Sequence, residues 1–477
     1  SAWTPIHNIT LTGNSGFRMM SSPVSGAKLS DLLDELWLQG MAGGDVSSSD
    51  ANIWILDLAG QSWSAVSNIS THSLSAGEGF LVYVFEDCDN DGDSDLPVDL
   101  FVSGSHNQND VAISSIPQNN YFLAGNPYIK TISWNDISKT NLSAVVSVWD
   151  DAISDWKTYN GTTGDLTNGL IAPFQGFWVQ AIGGVGGFTI QTDDIATSST
   201  SFIRTDNEVI NNSIKLSVSK DNKFDELFFS FDSSGSIKFD QKDAPKLVPL
   251  VKSSKLAAMI ISEGLTYKIN NLPSHYDSTM IFPLQVLSLE LDSLENLIGI
   301  QDTLTLNIDQ ANLPIDMYFN IYDSVTDIEY DFNQTQNISI ITDSLGIINY
   351  EGSGPLNRYL NYGNHRYFVS ISFSNLNVNS NNNNPGSYQL FQNYPNPFNQ
   401  KTIISYNLSN KQFVEISIFD IIGRNVKTLI NEMQNPGTRT VKWDGKDNFG
   451  NDVATGMYFY TIKAGTFRDD KKMILIK

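Results

Sequence analysis

Three short landmarks occur twice, in the same order, within the first 200 residues, and a duplication of this kind restricts the fold more than composition does. The first is Ser22-Pro23-Val24 after the strand-like Phe17–Met20, matched 104 residues on by Asn126-Pro127-Tyr128 after Tyr121–Ala124. The second is the pair Trp54 and Trp63, matched by Trp149 and Trp156, with 95 residues between the leading tryptophans. The third is Gly79-Phe80-Leu81-Val82, matched 97 residues on by Gly176-Phe177-Trp178-Val179. Each pair reads as strand, polar turn, strand. Two β units are therefore expected, over 1–105 and 106–200. Because Trp54, Trp63, Trp149, Trp156 and Trp178 sit inside alternating strands, they are read as core; exposed platforms on which sugar rings stack are the alternative. One short helix is expected at Asp31–Leu38, capped by Ser30, with Leu32, Leu33, Leu36 and Trp37 on one face.

From about Thr200 to Phe373 tryptophan is absent and short alternating runs take over, among them Ile214–Val218, Leu227–Phe231, Leu304–Ile308 and Tyr367–Ile371. Repeated strands with polar turns predict a β-sandwich over 201–374. Asp240 and Asp243 stand close enough in sequence to resemble an acid/base pair, but Ala244-Pro245 follows them and a turn is the better reading. Residues 375–387 are rich in Asn and Ser and have too few apolar groups to offset their ordering entropy, which makes them a linker. The remaining 388–477 carries short strands separated by Gly, Asn and Asp turns, enough for a small seven-strand sandwich. The chain is thus expected to be all-β and multidomain: tandem β units, then a β-sandwich, then an immunoglobulin-like sandwich.

The longest clean apolar stretch, Leu256–Ile261, falls far short of the ~20 residues of a spanning helix. The single cysteine, Cys88, excludes an intrachain disulfide and a thiolate-rich zinc or iron–sulfur site. Net charge is −23 and unevenly spread: residues 1–200 hold 5 basic against 22 acidic groups, whereas 388–477 hold 12 against 8. Such an acidic chain repels phosphate backbones, so nucleic acid is not an expected partner. The change of sign at the end predicts a tail read by a different partner from the rest. Residue 1 is serine and no charged-then-apolar leader precedes it, which fits a processed chain or a fragment.

The terminal segment carries a specific pattern. Tyr388–Asn399, including Tyr394-Pro395-Asn396-Pro397-Phe398, is followed by Ile418–Arg424 with Gly423 and Arg424, by Val441–Asp447, by Gly456-Met457-Tyr458 and by Lys471-Lys472 near the end. This order and spacing resembles the type A C-terminal sorting domains of the type IX (Por) secretion system, which are similar to the immunoglobulin-like domain of a hook-capping protein. Gln400 and Met457 depart from the more usual proline and valine. The resemblance implies an export signal recognised by secretion machinery at the outer membrane, and a product that is secreted, extracellular or on the outer surface of a Gram-negative bacterium. In physical terms the two prolines bring the chain in extended, the two aromatics anchor it, and Gly423 and Gly456 suit turns.

Upstream, Asp87, Asp89, Asp91, Asp93 and Asp95 fall at alternate positions with Gly92 between, which matches the start of a calcium loop. The twelfth position is Val98, so a complete EF-hand is excluded. A structural Ca²⁺ is expected here, with a solvated acidic turn as the alternative. Cys88, set among carboxylates, is expected to have a raised thiol pKa and low reactivity. Catalytic signatures are absent, Gly183–Phe188 reads as a β-turn, and the five histidines lack ligand spacing. The body is therefore expected to be structural or adhesive, possessing sheet edges through which it self-associates into a surface layer or filament. A carbohydrate-binding surface module is the alternative, and a secreted glycan-active enzyme built on two distant acids is a lesser one.

Overall fold

The computed structural model describes residues 4–200, 202, 212–276, 279–311, 317–332, 337–351, 356–363, 365–373, 388–391, 393, 396, 398–399 and 401–475. The linker expected over 375–387 lies outside them. Strands occupy 54% of the chain and helix 2%, so the all-β expectation holds. Contacts divide the chain into two compact units, Ser1–His275 with Met280–Ile371, and Tyr276–Thr279 with Ser372–Lys477.

The duplication appears in the first unit as two sheets of the same topology. The first repeat comprises β1 (Ile6–Leu11), β2 (Gly16–Ser21), helix α1 (Leu29–Leu32), β3 (Ile53–Asp57), β4 (Ser62–Ala65), β5 (Gly79–Val84) and β6 (Val98–Ser103). The second comprises β7 (Val111–Ile116), β8 (Tyr121–Gly125), β9 (Ile132–Ser133), β10 (Ser138–Thr140), β11 (Val146–Asp150), β12 (Asp155–Tyr159), β13 (Leu170–Ile171), β14 (Gly176–Gln180) and β15 (Gly186–Ile190). One four-stranded sheet runs β2-β5-β3-β4 and the other β8-β14-β11-β12, while β1–β6 and β7–β15 form the matching second layer. All three landmarks therefore fall on equivalent strands.

Both faces of these sheets are buried along the central strands, β2 and β5 in the first and β11 and β14 in the second, where alternate side chains point to opposite sides. Met20, Phe80 and Val82 face the first repeat's own core, and Val146, Phe177 and Val179 face that of the second. The opposite faces carry Met19, Leu81, Leu123, Trp149, Trp156 and Trp178 into a core shared by the two repeats, with Trp54 and Trp63 packed at its margin. The landmark tryptophans are thus packing residues, joined edge-to-face at 5.2 Å for Trp149–Trp156 and 5.6 Å for Trp63–Trp178.

The repeats meet in a symmetric exchange. Met20 bridges Gln175, and Glu78 bridges Ala124. Met20 and Ala124 are equivalent at the 104-residue spacing, and Glu78 and Gln175 at 97, so each repeat gives the other what it receives. This is the self-complementary logic of a two-fold dimer, realised within one chain. Glycine permits it: a Cβ on Gly125 would stand 2.3 Å from Ser21 Cβ and 2.5 Å from the Glu78 carbonyl, and one on Gly79 2.5 Å from the Ala124 carbonyl. Gly125→Ala is expected to cost about 1–3 kcal/mol by overpacking, measured as a lower denaturant midpoint. A midpoint equal to wild type would show that the crossing tolerates a side chain.

The helix is shorter than the sequence predicts. It spans Leu29–Leu32, begins after Lys28 with no side-chain cap, and encloses Ser30 instead of starting from it. Ser30 spends its hydroxyl on Asp31 (3.1 Å). Leu33, Leu36 and Leu38 are still buried, in turns, because the core of the first repeat reaches them without a continued helix.

Among the described residues, the rest of the first unit is a thirteen-stranded ladder that curls on itself, with a separate short pair, Tyr350–Glu351 and Arg358–Tyr359. The strands Lys223–Asp232 and Met317–Asp323 lie five steps apart in it, about 24 Å along a flat sheet at ~4.8 Å per step. Yet the rings of Phe229 and Phe319 are 5.9 Å apart, so these two stretches of the ladder face each other as the layers of a sandwich do. Buried ion pairs tie this part to the second repeat. Lys268 reaches Asp165 at 2.5 Å and the Trp156 carbonyl at 2.7 Å, and Trp156 Nε1 donates to the Val248 carbonyl at 2.9 Å. Asp240 and Asp243 shape a turn: Asp243 accepts the backbone N–H of Asp240 (2.8 Å) and of Asn271 (2.7 Å). Burial pushes Asp243 up to about 7 despite these donors.

Candidate functional site

The acidic loop leaves β5 and returns to β6. Five carboxylates in nine residues repel each other, and the loop meets this by turning them onto its own backbone. Asp87 accepts from the N–H groups of Asp91 (3.1 Å) and Gly92 (3.0 Å), Asp89 from Asp91 (3.2 Å), and Asp91 from Asp93 (3.2 Å). Asp95 reaches back to the N–H of Cys88 at 2.7 Å. Gly92 supplies the left-handed turn, with φ +105°.

Oxygens of Asp87, Asp89 and Asp95 lie within 4.8 Å of one another. Asp91 and Asp93 are not in that group, and their carboxyls interact with each other instead. Asp89 is held above the ordinary carboxylate range, chiefly by desolvation and then by the charges of Asp91 and Asp95. An all-oxygen donor set of this kind suits a hard divalent cation. Cys88 is buried, and burial first, then Asp95, Asp87 and Asp89, push its thiol up to about 11. The low reactivity expected of it has that physical basis.

The second compact unit contains the terminal sandwich. Three strands (Gln389–Leu390, Thr402–Leu408, Gly437–Trp443) form one sheet and four (Asn425–Gln434, Gln412–Asp420, Gly456–Ala464, Phe467–Leu475) the other, seven in all. The signature residues hold this fold together. Phe398 is buried, donates its N–H to the Ile474 carbonyl at 2.9 Å and lies 5.4 Å from the Trp443 ring. Asn396 clasps the same strand from both sides, accepting from the Ile474 N–H (2.8 Å) and donating to the Lys472 carbonyl (3.2 Å). Asn393, not singled out by sequence reasoning, is buried, and its N–H donates to Tyr460 Oη at 2.6 Å. Its signal in the sequence was an amide beside an aromatic anchor. Tyr394, Pro395 and Pro397 lie outside the described residues.

Gly423 adopts φ +81° in a turn that Asp420 organises by accepting from the backbone N–H groups of Ile422 and Arg424 and from Arg424 Nε (2.7 Å). Gly456 opens the strand on which Tyr458 stacks edge-on against Trp443 (5.2 Å) and donates to the Ala454 carbonyl (2.7 Å). Lys471 and Lys472 lie on the last strand, opposite Tyr460 and Phe459. The structure thus brings together Asn396, Phe398 and Lys472 at one strand, while Gly423 and Arg424 form a separate turn.

Residues 392–477 match the family described as the secretion system C-terminal sorting domain. Residues 392–477 are thus a sorting domain of that family, which supports reading the chain as type IX secretion cargo. This sorting domain takes in six of the seven strands of the terminal sandwich and indicates secretion to the cell surface or the extracellular space, as found in Bacteroidetes. No curated protein matches the chain. Among solved structures it is similar to PorZ, a bacterial surface component of the type IX secretion system of Porphyromonas gingivalis, at 10% identity and a TM-score of 0.15, over 42% of this chain and 38% of that one. It is also similar to dimeric latent PorU of the same organism, at 11% identity and a TM-score of 0.17, over 79% of this chain and 35% of that one. The chain spans well under half the length of both. Among the described residues no helix is long and apolar enough to cross a membrane.

Proposed function

We propose that the sorting domain delivers a body with a structural or adhesive role at the cell surface, one that associates by strand addition. The observation that supports this reading is the set of strands that end ladders in the first unit: β4, Ile328–Asp331 and Asn337–Ile341. Such edges accept a further strand. Residues Ser62 and Ser64 of β4 are exposed and polar, which limits association to specific partners. Electron microscopy of the purified chain is expected to show elongated assemblies; monomers alone over a wide concentration range would remove the reading.

We further propose that Asp87, Asp89 and Asp95 hold a structural Ca²⁺ that fixes the connection between β5 and β6. A cation at a hundred times its dissociation constant contributes about 2.7 kcal/mol. Melting is therefore expected at a higher temperature in calcium than in chelator, and Asp89→Asn is expected to lose that difference. Identical midpoints with and without chelator would rule it out.

A further inference from the structure

Trp37 differs from the other tryptophans whose surroundings the structure describes. Trp134, Trp149, Trp156, Trp178 and Trp443 are core, and Trp54 and Trp63 pack on a core cluster, but Trp37 belongs to none. It is half-buried and lines a groove of about 510 Å³ beside the acidic loop, together with Phe85, Glu86, Asn90, Asp93 and Ser94. Its Nε1 donates to Gln39 Oε1 at 3.2 Å, which fixes the edge of the indole. The volume lies within the range of small-ligand sites, roughly 300–1,000 Å³.

We propose that this groove binds a neutral saccharide, with Trp37 as the stacking platform. Sugars combine an apolar C–H face with a rim of hydroxyls, so their sites pair an aromatic plane with side-chain donors and acceptors around it. The groove supplies both. Among the described residues, the side chains of Glu86, Asn90 and Ser94 have no hydrogen-bond partner and are available to hydroxyls. The carboxylates of Glu86, Asp87 and Asp93 on the groove's lining repel an anionic sugar, which favours a neutral saccharide over an acidic one. Asn90 is held in the left-handed region at φ +62°, a conformation that asparagine tolerates better than most residues. This inference does not depend on the assembly proposed above, although the groove shares Asp87 with the proposed cation site.

The test is native electrophoresis of the full chain through gels containing soluble starch, xylan, galactomannan or mixed-linkage β-glucan. Retardation in at least one gel is expected, with at least a tenfold loss of affinity in Trp37→Ala and a smaller loss in Asn90→Ala. Thermal melting of both variants checks their folding. Should Trp37→Ala not fold, Trp37→Phe is expected to keep part of the retardation and Asn90→Ala to lose part of it. Migration unchanged in all four gels would overturn the proposal, as would retardation indifferent to Trp37 and Asn90, or binding to polylysine in place of any polysaccharide.

Discussion

Removing residues 388–477 is expected to abolish appearance of the protein outside the cell while leaving the melting of the first unit unchanged. The terminal sandwich has its own core, centred on Trp443, Tyr460, Ile416 and Phe398, and belongs to a compact unit distinct from the repeats. A point variant gives a graded version of the same result. Phe398→Ala empties a site next to Trp443, and large aromatic truncations in cores cost about 3–5 kcal/mol. That approaches the whole stability of a small domain, about 5–15 kcal/mol. A large fraction of the sorting domain would then be unfolded and export would fall steeply. Immunoblots of cells, surface fraction and medium measure both effects. Export untouched by the truncation would mean that the address lies elsewhere in the chain.

The landmarks made the two repeats legible because short strands bounded by proline, glycine and paired tryptophans leave a pattern that survives heavy divergence. The strand alternation in 388–477 and its turn glycines likewise mark out seven strands in the sequence itself. What the sequence could not display was the partner of each buried face. Met19 and Met20 read as one apolar run, yet they point into different cores, and only the exchange between Met20–Gln175 and Glu78–Ala124 decides which. The shortened helix has the same origin: Leu33, Leu36 and Leu38 are buried at nearly helical spacing, but tertiary packing holds them in turns. In the acidic loop the run of aspartates was visible. The closure of Asp95 onto Cys88, which gathers it with Asp87 and Asp89, depends on a backbone path that periodicity does not encode.

Arg18→Ala is expected to destabilise the first unit by about 3–5 kcal/mol, the cost of stranding one member of a buried ion pair. Arg18 lies in the first repeat and Asp151 in the second, with Nη1–Oδ1 at 2.6 Å and exposures of 2% and 11%, so the pair is a charged bolt through an otherwise apolar junction. Arg18 Nη2 also donates to the carbonyls of Thr12 and Asn14, both at 3.0 Å, which the alanine would leave without that donor. Desolvation dominates both partners: it lowers the guanidinium from its ordinary value and raises the Asp151 carboxyl, outweighing the attraction between them. The pair is therefore a poor source of net stability but expensive to break singly. It follows that Arg18→Met combined with Asp151→Leu should cost less than either single change, and a double-mutant cycle in denaturant would read the difference as a coupling energy. Equal and additive losses would mean that the junction relies on its shared tryptophan core and that the ion pair contributes nothing to holding the repeats in register.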